Sequence, residues 1–186
     1  VGIDYSRSTD ARQGFENFIG AEFGLRGALR RDEHDVLTGF DPYLQAEWES
    51  GPWVLNAGMR HSRLKVEVDD HYLGNGDDSG AREYRKSTPV LGLLYKASPV
   101  LNVYASAARG FETPTLNEMF YAAGGTGFNF ALGPARSKHI EAGIKAVAGS
   151  KVRVNAALFN VRTRDELVVD TASGGRTSYR NAGETL

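Results

Sequence analysis

The sequence contains no cysteine, only 6 prolines, and no hydrophobic run long enough to form a membrane-spanning helix. Without cysteine, a disulfide framework, a thiolate zinc site and a cysteine nucleophile are all excluded. The longest stretch without a charged residue extends from Met119 to Ala135. Because this stretch is rich in glycine and shorter than the ~20 apolar residues that a spanning helix requires, we predict that it is a loop.

Neither sign of charge dominates, since the chain has 22 Lys and Arg residues and 23 Asp and Glu residues. This balance provides no basic surface for nucleic acid and no polybasic segment for a membrane. The GGTG stretch at 124–127 lacks the strand and helix that flank a phosphate-binding loop, and the sequence shows no local Ser-His-Asp motif. We therefore expect no enzyme, no cofactor and no nucleic-acid partner.

Alternation of apolar and polar residues with a period of two dominates the chain. Trp53, Leu55, Ala57 and Met59, for example, alternate with mostly polar or small residues. This pattern is typical of a β-strand with one apolar face. It predicts further strands over 43–49, 91–96, 101–108, 140–147 and 152–159, a weaker strand over 19–26 and a strand stub over 1–7.

The phase of this alternation reverses beyond His61. Leu64, Val66 and Val68 alternate with charged residues in the opposite phase to the preceding apolar residues. Two explanations fit the reversal. One is a β-bulge, and the other is a strand that leaves a membrane and then has water on both faces.

Short and long connections between the predicted strands alternate strictly. The short ones are the tight turns at 50–52, 98–99 and 149–150, and the long polar ones cover 69–83, 111–133 and 170–177. This arrangement places short turns at one end of the sheet and long loops at the other, as in an outer-membrane barrel. The strands, at roughly 14 residues, exceed the ~9–11 that cross a bilayer, so they are expected to project beyond it.

Aromatic residues flank two of the tight turns: Trp48 and Trp53 flank the first, and Tyr95 and Tyr104 the second. Trp and Tyr collect at membrane interfaces, so these residues predict an aromatic belt. The alternative explanation is that aromatic residues are simply common in strands near turns. Three polar residues are predicted to line the inside of the barrel: Arg60, Glu141 and Lys145.

Six stretches resemble, in the same order, segments of TonB-dependent outer-membrane receptors. In that family a strand leads into a Gly-Phe-x-x-Pro corner and a short helix with a Glu, as in LNVYASAARGFETPTLNEMF. The other matching stretches are YLQAEWESGPWVLNAGMRHSR, STPVLGLLYKASPVLNVYAS, LGPARSKHIEAGIKA, AALFNVRTRDELV and SYRNAGE. The chain departs from the pattern at Ala135, where the family usually has Glu.

The resemblance implies an all-β fold, with the chain contributing about eight antiparallel transmembrane strands to a larger barrel of about 22 strands. It implies a bacterial outer-membrane location in contact with lipid, a plug domain in the same protein, and energy from the TonB complex. The expected ligand is a ferric siderophore or a similar scarce chelate, with haem as an alternative. A passive porin, a structural barrel and a soluble β-sandwich binding module are the competing interpretations.

The ends of the chain carry no start methionine and no terminating signal. We therefore expect residues 1–186 to be part of a single receptor β-barrel domain. The plug, the TonB box and the C-terminal strands are expected to lie outside this sequence.

A short helix is predicted over about 114–122, within the first matching stretch. Pro114 fits the first position of a helix capped by Thr113. Thr115 and Glu118 also have the spacing of a capping box. A plain loop is the alternative interpretation.

The candidate ligand-binding residues are Arg109, Phe111, Tyr121, Phe128 and Phe130. Aromatic rings and arginine are suitable partners for a catecholate or an anionic chelate. The alternative is that these aromatic residues pack the loop on itself.

No metal site is predicted. The acidic loop at 69–83 matches the start of a calcium-binding loop at Asn75, Asp77, Ser79 and Gly80, but the last ligand position is Lys86 rather than Glu. A solvated acidic loop is therefore the expected structure. The four histidines, His34, His61, His71 and His139, show no metal-ligand spacing. One of them in or near a loop is still a candidate for contact with haem iron.

Overall fold

The computed structural model describes residues 1–122, 127–149, 152–173 and 176–185. The described chain is built from antiparallel strands with one four-residue helix, which confirms the predicted all-β fold class. The elements are β1 (Gly2–Phe15), β2 (Phe18–Ile19), β3 (Glu22–Phe23), β4 (Leu29–Ser50), β5 (Trp53–Asp70), β6 (Gly80–Ser98), β7 (Leu101–Glu112), α1 (Leu116–Met119), β8 (Ala135–Ala148), β9 (Val152–Arg164), β10 (Leu167–Ser173), β11 (Arg176–Asn181) and β12 (Glu184–Thr185).

Eight strands form one sheet in the order β1-β4-β5-β6-β7-β8-β9-β12. The pairs β2–β3 and β10–β11 are separate small hairpins. Within the residues that the structure describes, no helix is long and apolar enough to cross a membrane.

The connections alternate in length along the sheet, as predicted. β4–β5 and β6–β7 are joined by residues 51–52 and 99–100. At the opposite end, which we call the loop end, the connections are long: 16–28, 71–79, 113–134 and 165–183. Gly51 has a φ of 56°, a conformation that glycine adopts without steric cost in so tight a turn.

Two predicted segments differ from the structure. The weaker strand predicted over 19–26 is instead the short β2–β3 hairpin, because positive φ angles at Gly20 and Gly24 turn the chain back. The long loop predicted over 170–177 is instead largely strand, since residues 170–173 belong to β10 and residues 176–177 to β11. The glycine-rich residues 124–126 lie outside the described part of the chain.

The phase reversal in β5 occurs without a bulge. The pairing of β5 with β4 and β6 keeps a constant register, from Trp53↔Tyr95 to Val68↔Gly80 on the β6 side. Side chains of successive residues therefore continue to alternate between the two faces. The bulge explanation is wrong, and the apolar residues themselves change face.

We call the face that carries Trp53 the outer face and the face that carries Arg60 the inner face. On β4 the apolar part of the outer face extends from Phe40 to Trp48, about 27 Å of strand at ~3.4 Å per residue. This length is close to the ~25 Å apolar band of outer-membrane barrels. Above this band, β5 presents charged residues outward, whereas Val66 and Val68 point inward and are buried.

Most of the predicted aromatic belt lies on the outer face. Trp53 and Tyr95 are cross-strand partners with ring centroids 4.5 Å apart, and Trp48 is exposed on the same face. The predicted belt position of Tyr104 is wrong. Its register places it on the inner face, where its hydroxyl donates to the Glu141 carboxylate at 2.5 Å. The ring covers a glycine of the next strand, so it is held there rather than at the lipid surface.

The inner face carries charged residues below the loop end. The guanidinium of Arg60 bridges two carboxylates across strands, with Nη2 2.9 Å from Asp4 and 2.7 Å from Asp41. Lys145 lies over the Tyr104 ring at 5.2 Å. The three residues predicted to line the inside of the barrel, Arg60, Glu141 and Lys145, therefore share the inner face.

The buried apolar core lies at the loop end rather than at the middle of the sheet. It joins the upper part of β5 and β6 to the long connection 113–134. Its buried members are Val66, Val68, Tyr84, Met119, Phe120, Phe128 and Leu132.

Candidate functional site

The described residues of the connection 113–134 fold over the inner face at the loop end, and α1 lies near the start of this connection. Thr115 is the N-cap of this helix, and its backbone amide donates to Oε2 of Glu118 at 2.8 Å, completing a capping box. The predicted capping box is therefore confirmed, but Thr113 is not the cap and Pro114 precedes the helix.

The helix ends at Met119, earlier than the predicted position near residue 122. The carbonyl oxygen of Met119 accepts a hydrogen bond from the amide of Asn129 at 2.6 Å. A longer helix would need that carbonyl for the amide of residue 123. The returning loop therefore takes the place of the next helical turn.

Aromatic residues hold this loop on the sheet. Phe120 meets Phe128 edge to face at 5.4 Å, and Phe128 stacks on Phe130 at 5.7 Å. The hydroxyl of Tyr84, from β6, donates to the carbonyl of Leu132 at 3.0 Å. Because Phe128 is 8% exposed, its main contact is with the loop core.

The same loop is tied to the β10–β11 hairpin through Asn181. Its Oδ1 accepts the amide of Gly133 at 2.7 Å, and its Nδ2 donates to the carbonyls of Gly133 and Asp165 at 2.9 and 2.8 Å. Asn129 adds a bond from Nδ2 to the carbonyl of Tyr179 at 3.2 Å. The Tyr-x-Asn-x-Gly stretch thus joins two long connections through one amide.

A cavity of about 440 Å³ opens beside this loop, and we call it the arginine cleft. It combines four arginines, three carboxylates and two tyrosines contributed by five parts of the chain. Its lining residues are Arg12, Gln13, Gly14, Phe15, Arg30, Arg31, Glu33, Asp70, Tyr72, Asn75, Asp78, Tyr121 and Arg176.

Two of the cleft arginines are held in place by Glu33. Arg12 Nη1 lies 3.4 Å and Arg31 Nε 3.0 Å from its carboxylate oxygens. Arg12 also stacks over the Phe120 ring, with Cζ 3.5 Å from the centroid. These contacts fix the two guanidinium groups without enclosing them, since both side chains keep part of their surface exposed.

The aromatic wall of the cleft is Tyr121. The guanidinium carbons of Arg31 and Arg176 lie 5.2 and 5.6 Å from its ring centroid. Arg30 and Arg176 make no ion pair with any residue in the described part of the chain. They are therefore available, together with the tyrosine ring, for an incoming anion.

The cleft carboxylates are largely occupied by the protein itself. Asp70 accepts the amide of Tyr72 at 2.9 Å and the amide of Asp78 at 3.2 Å. Asp78 accepts a hydrogen bond from Asn75 at 3.1 Å. The side chains that remain open to the cavity are consequently mostly cationic.

Burial raises the pKa of Glu33, although the neighbouring Arg31 and Arg12 oppose the shift. Burial also raises the pKa of Asp35, with Arg12 again opposing it. Asp35 is 0% exposed, and neither of its carboxylate oxygens is hydrogen-bonded to a described residue. Next to the cleft residue Arg12 there is therefore a buried carboxylate with little support for its charge.

The predicted ligand-binding residues are only partly brought together. Tyr121 lines the arginine cleft. Phe111, Phe128 and Phe130 pack in or against the loop core. Arg109 lies on the outer face of β7, away from the cleft. No local pattern in the sequence predicts the cleft arginines, because only the β1–β4 register brings Arg12 opposite Glu33.

The acidic loop and the histidines show local hydrogen bonding. Oδ1 of Asp77 accepts the amide of Ser79 at 2.9 Å, and His71 lies 3.2 Å from Asp69. His61 and His139 contact serine hydroxyls on the sheet. Across the described ranges, no three His, Asp or Glu side chains are grouped so as to hold a metal ion.

An antiparallel sheet with an apolar outer band, a polar inner face and all its long loops at one end defines the class of outer-membrane β-barrels. Residues 1–186 match the family described as TonB dependent receptor-like, beta-barrel. The chain belongs to this family, whose location is the bacterial outer membrane.

The metal-pseudopaline receptor CntO of Pseudomonas aeruginosa (strain UCBPP-PA14) is 27% identical over 157 residues, which cover 81% of this chain and 21% of CntO. The chain therefore spans about a fifth of that relative. Solved structures that share the fold include the copper transporter OprC, with a TM-score of 0.70, 14% identity and coverage of 96% of this chain and 28% of OprC. The ferric-catecholate import receptor Fiu of E. coli K12 matches with a TM-score of 0.62, 17% identity and coverage of 98% of this chain and 30% of Fiu.

Proposed function

We propose that the whole protein takes up an anionic metal chelate of the ferric siderophore type, and that the arginine cleft contributes to the binding site for this ligand. The observation that carries this proposal is that Arg12, Arg30, Arg31 and Arg176 line one cavity at the loop end. Arg31 and Arg176 also lie beside the Tyr121 ring in that cavity. Guanidinium groups pair with carboxylate or catecholate oxygens, and the aromatic ring adds contact area.

The relatives support this ligand class. CntO is named as a receptor for metal-pseudopaline, and Fiu is described as a ferric-catecholate import receptor. Membership of the receptor family favours energised uptake over a passive porin. In this proposal residues 1–186 form part of one barrel, whose lumen holds a plug domain of the same protein and whose energy comes from the TonB complex.

The test uses the full-length receptor and two probes, ferric citrate and a ferric tris-catecholate. The double variant Arg30→Gln, Arg176→Gln removes two cleft charges that make no ion pair within the described residues. We expect the affinity for the better-bound probe to fall roughly tenfold or more, because a charge-assisted hydrogen bond contributes about 1.5–3 kcal/mol. Quenching of intrinsic tryptophan fluorescence on titration measures this affinity.

The matched control is Arg63→Gln, Arg85→Gln, which removes the same charge from the outer face above the apolar band. It should bind both probes as the wild type does. Equal losses in both double variants would indicate a general charge effect and contradict a role for the cleft. A wild-type receptor that binds neither anionic probe would refute the proposed ligand class.

A further inference from the structure

A row of three basic side chains crosses the outer face of the sheet just above the apolar band. Arg109 of β7 lies directly opposite Lys138 of β8, and Lys138 lies directly opposite Arg162 of β9. One position closer to the tight turns on the same face, the register aligns Ala107 with Ile140. The row therefore begins where the apolar surface ends.

These three cations repel one another in the protein alone. Adjacent strands lie about 4.8 Å apart, so the row spans roughly 10 Å. Like charges directly opposite each other on neighbouring strands destabilise a sheet. Arg109, Lys138 and Arg162 are all exposed, and none of them forms an ion pair with another residue of the described ranges.

On the outer face of β5 and β6, by contrast, the basic side chains are paired with carboxylates. Arg63 donates two hydrogen bonds to Glu83, at 2.9 and 3.0 Å, and Arg85 pairs with the same carboxylate. Lys65 lies 2.5 Å from Glu67. Arg85 and Arg63 together lower the pKa of Glu83 to about 2. The outward basic residues Arg63, Lys65 and Arg85 of β5 and β6 are thus neutralised, whereas those of the β7–β9 row are not.

We propose that this row, Arg109, Lys138 and Arg162, binds phosphate groups of anionic lipids in the outer leaflet of the outer membrane. The long loops of such barrels face outward, so the loop side of the apolar band lies at the outer-leaflet headgroups. Arginine is suited to phosphate because its guanidinium donates in a fork, and lysine adds a compact charge.

The surface beneath the row suits the rest of such a lipid. Ile140 is 63% exposed and Leu158 is 83% exposed on the outer face, below the level of the cations. Acyl chains therefore meet an apolar surface directly under the headgroup contacts. This lipid site is on the opposite face from the arginine cleft and does not depend on the proposed ligand.

The experiment uses the full-length receptor purified in a neutral detergent and stripped of bound lipid. Binding of a bis-phosphorylated glycolipid is compared with binding of its enzymatically dephosphorylated form and with inorganic phosphate, by native mass spectrometry and by the shift in melting temperature. The test variant is Arg109→Gln, Lys138→Gln, Arg162→Gln. The control is Arg63→Gln, Lys65→Gln, Arg85→Gln, which makes the same charge change beside carboxylates.

We expect the test variant to lose roughly a hundredfold in affinity for the phosphorylated lipid, since each basic residue near an anionic surface is worth about fivefold. The control variant should keep most of the affinity. Equal binding by the wild type and the test variant would overturn the proposal, and so would undiminished binding of the dephosphorylated lipid. Stabilisation by inorganic phosphate equal to that by the lipid would also overturn it, in favour of a free anion.

Folding of the test variant is checked without lipid. Removing mutual repulsion should leave its melting temperature in neutral detergent equal to or higher than that of the wild type. A second variant, Lys138→Glu, places a carboxylate between Arg109 and Arg162 and should raise the melting temperature while abolishing the response to lipid. A Lys138→Glu receptor that still responds fully to the phosphorylated lipid would contradict the assignment.

Discussion

Asp35 shows how one residue affects both stability and its pH dependence. It is fully buried, its carboxylate accepts no hydrogen bond from a described residue, and Arg12 of the arginine cleft lies 4.0 Å away. A buried carboxylate in such surroundings favours its protonated form, which is why its pKa is raised above 3.8. The folded receptor therefore holds this proton more tightly than the unfolded chain does.

The sign of the pH effect follows from that difference. A raised carboxyl pKa contributes stability that is present below the unfolded pKa of 3.8 and is lost as the pH rises through the folded value. Asp35→Asn should therefore raise the stability at pH 7 by about 1–2 kcal/mol and flatten its pH dependence above pH 4. Thermal unfolding of the full-length receptor between pH 4 and 8 measures both effects.

Asp32→Asn is the control for this prediction. Its carboxylate is at the surface and accepts one hydrogen bond from Gln13 at 3.2 Å. It should change the melting temperature little at any pH. If Asp35→Asn destabilises the receptor at pH 7, then the charge of Asp35 is supported by a partner and the argument from burial is wrong.

At the scale of an element, the helix α1 depends on its cap and on packing for its stability. Four helical residues are too few to be stable alone, because nucleation costs more than so few hydrogen bonds return. The helix persists because of its capping box and because Met119 is 0% exposed in the loop core. Its cap therefore contributes to the stability of the loop core that contains Met119.

Thr115→Ala should lower the stability of the receptor by about 1 kcal/mol, the usual cost of losing an N-cap hydroxyl. The loop should also be cleaved faster in limited proteolysis, since local opening exposes it. Thr113→Ala is the matched control, because Thr113 does not cap the helix. Equal effects of the two substitutions would show that the cap position is misassigned.

The alternation of side chains predicted the strands well, because one face of each strand meets lipid and period two is a local property. The arginine cleft was not predictable in this way. Arg12, Glu33, Tyr121 and Arg176 come together only through strand register and the fold of a long loop, and neither is encoded in a short window of sequence. The early end of α1 was missed for the same reason, since Asn129 competes for a carbonyl from ten residues away.

At the scale of the whole molecule, the eight-stranded sheet exposes a large apolar surface. Leu158 is 83% exposed and Trp48 58%, and the described part of the chain gives β1 and β12 a neighbour on one side only. Apolar surface and unpaired strand edges both promote association in water.

Residues 1–186 produced alone should consequently aggregate or pair edge to edge in detergent-free buffer. In detergent the apolar face should be covered and association reduced. Size-exclusion chromatography with light scattering in both conditions measures the outcome. A monodisperse monomer in plain buffer would contradict this account of the outer face.

The change of face along β5 has a consequence for how such a chain can vary. From Trp53 to Met59 the outward-facing apolar side chains are odd-numbered, whereas beyond Arg63 the buried, inward-facing ones are even-numbered, and the register stays unbroken. A single residue inserted between these two segments would keep one of them correctly oriented and turn the other inside out. A pair of residues would only lengthen the strand. Homologous strands should therefore differ in length by even numbers, leaving odd changes in length to the loops.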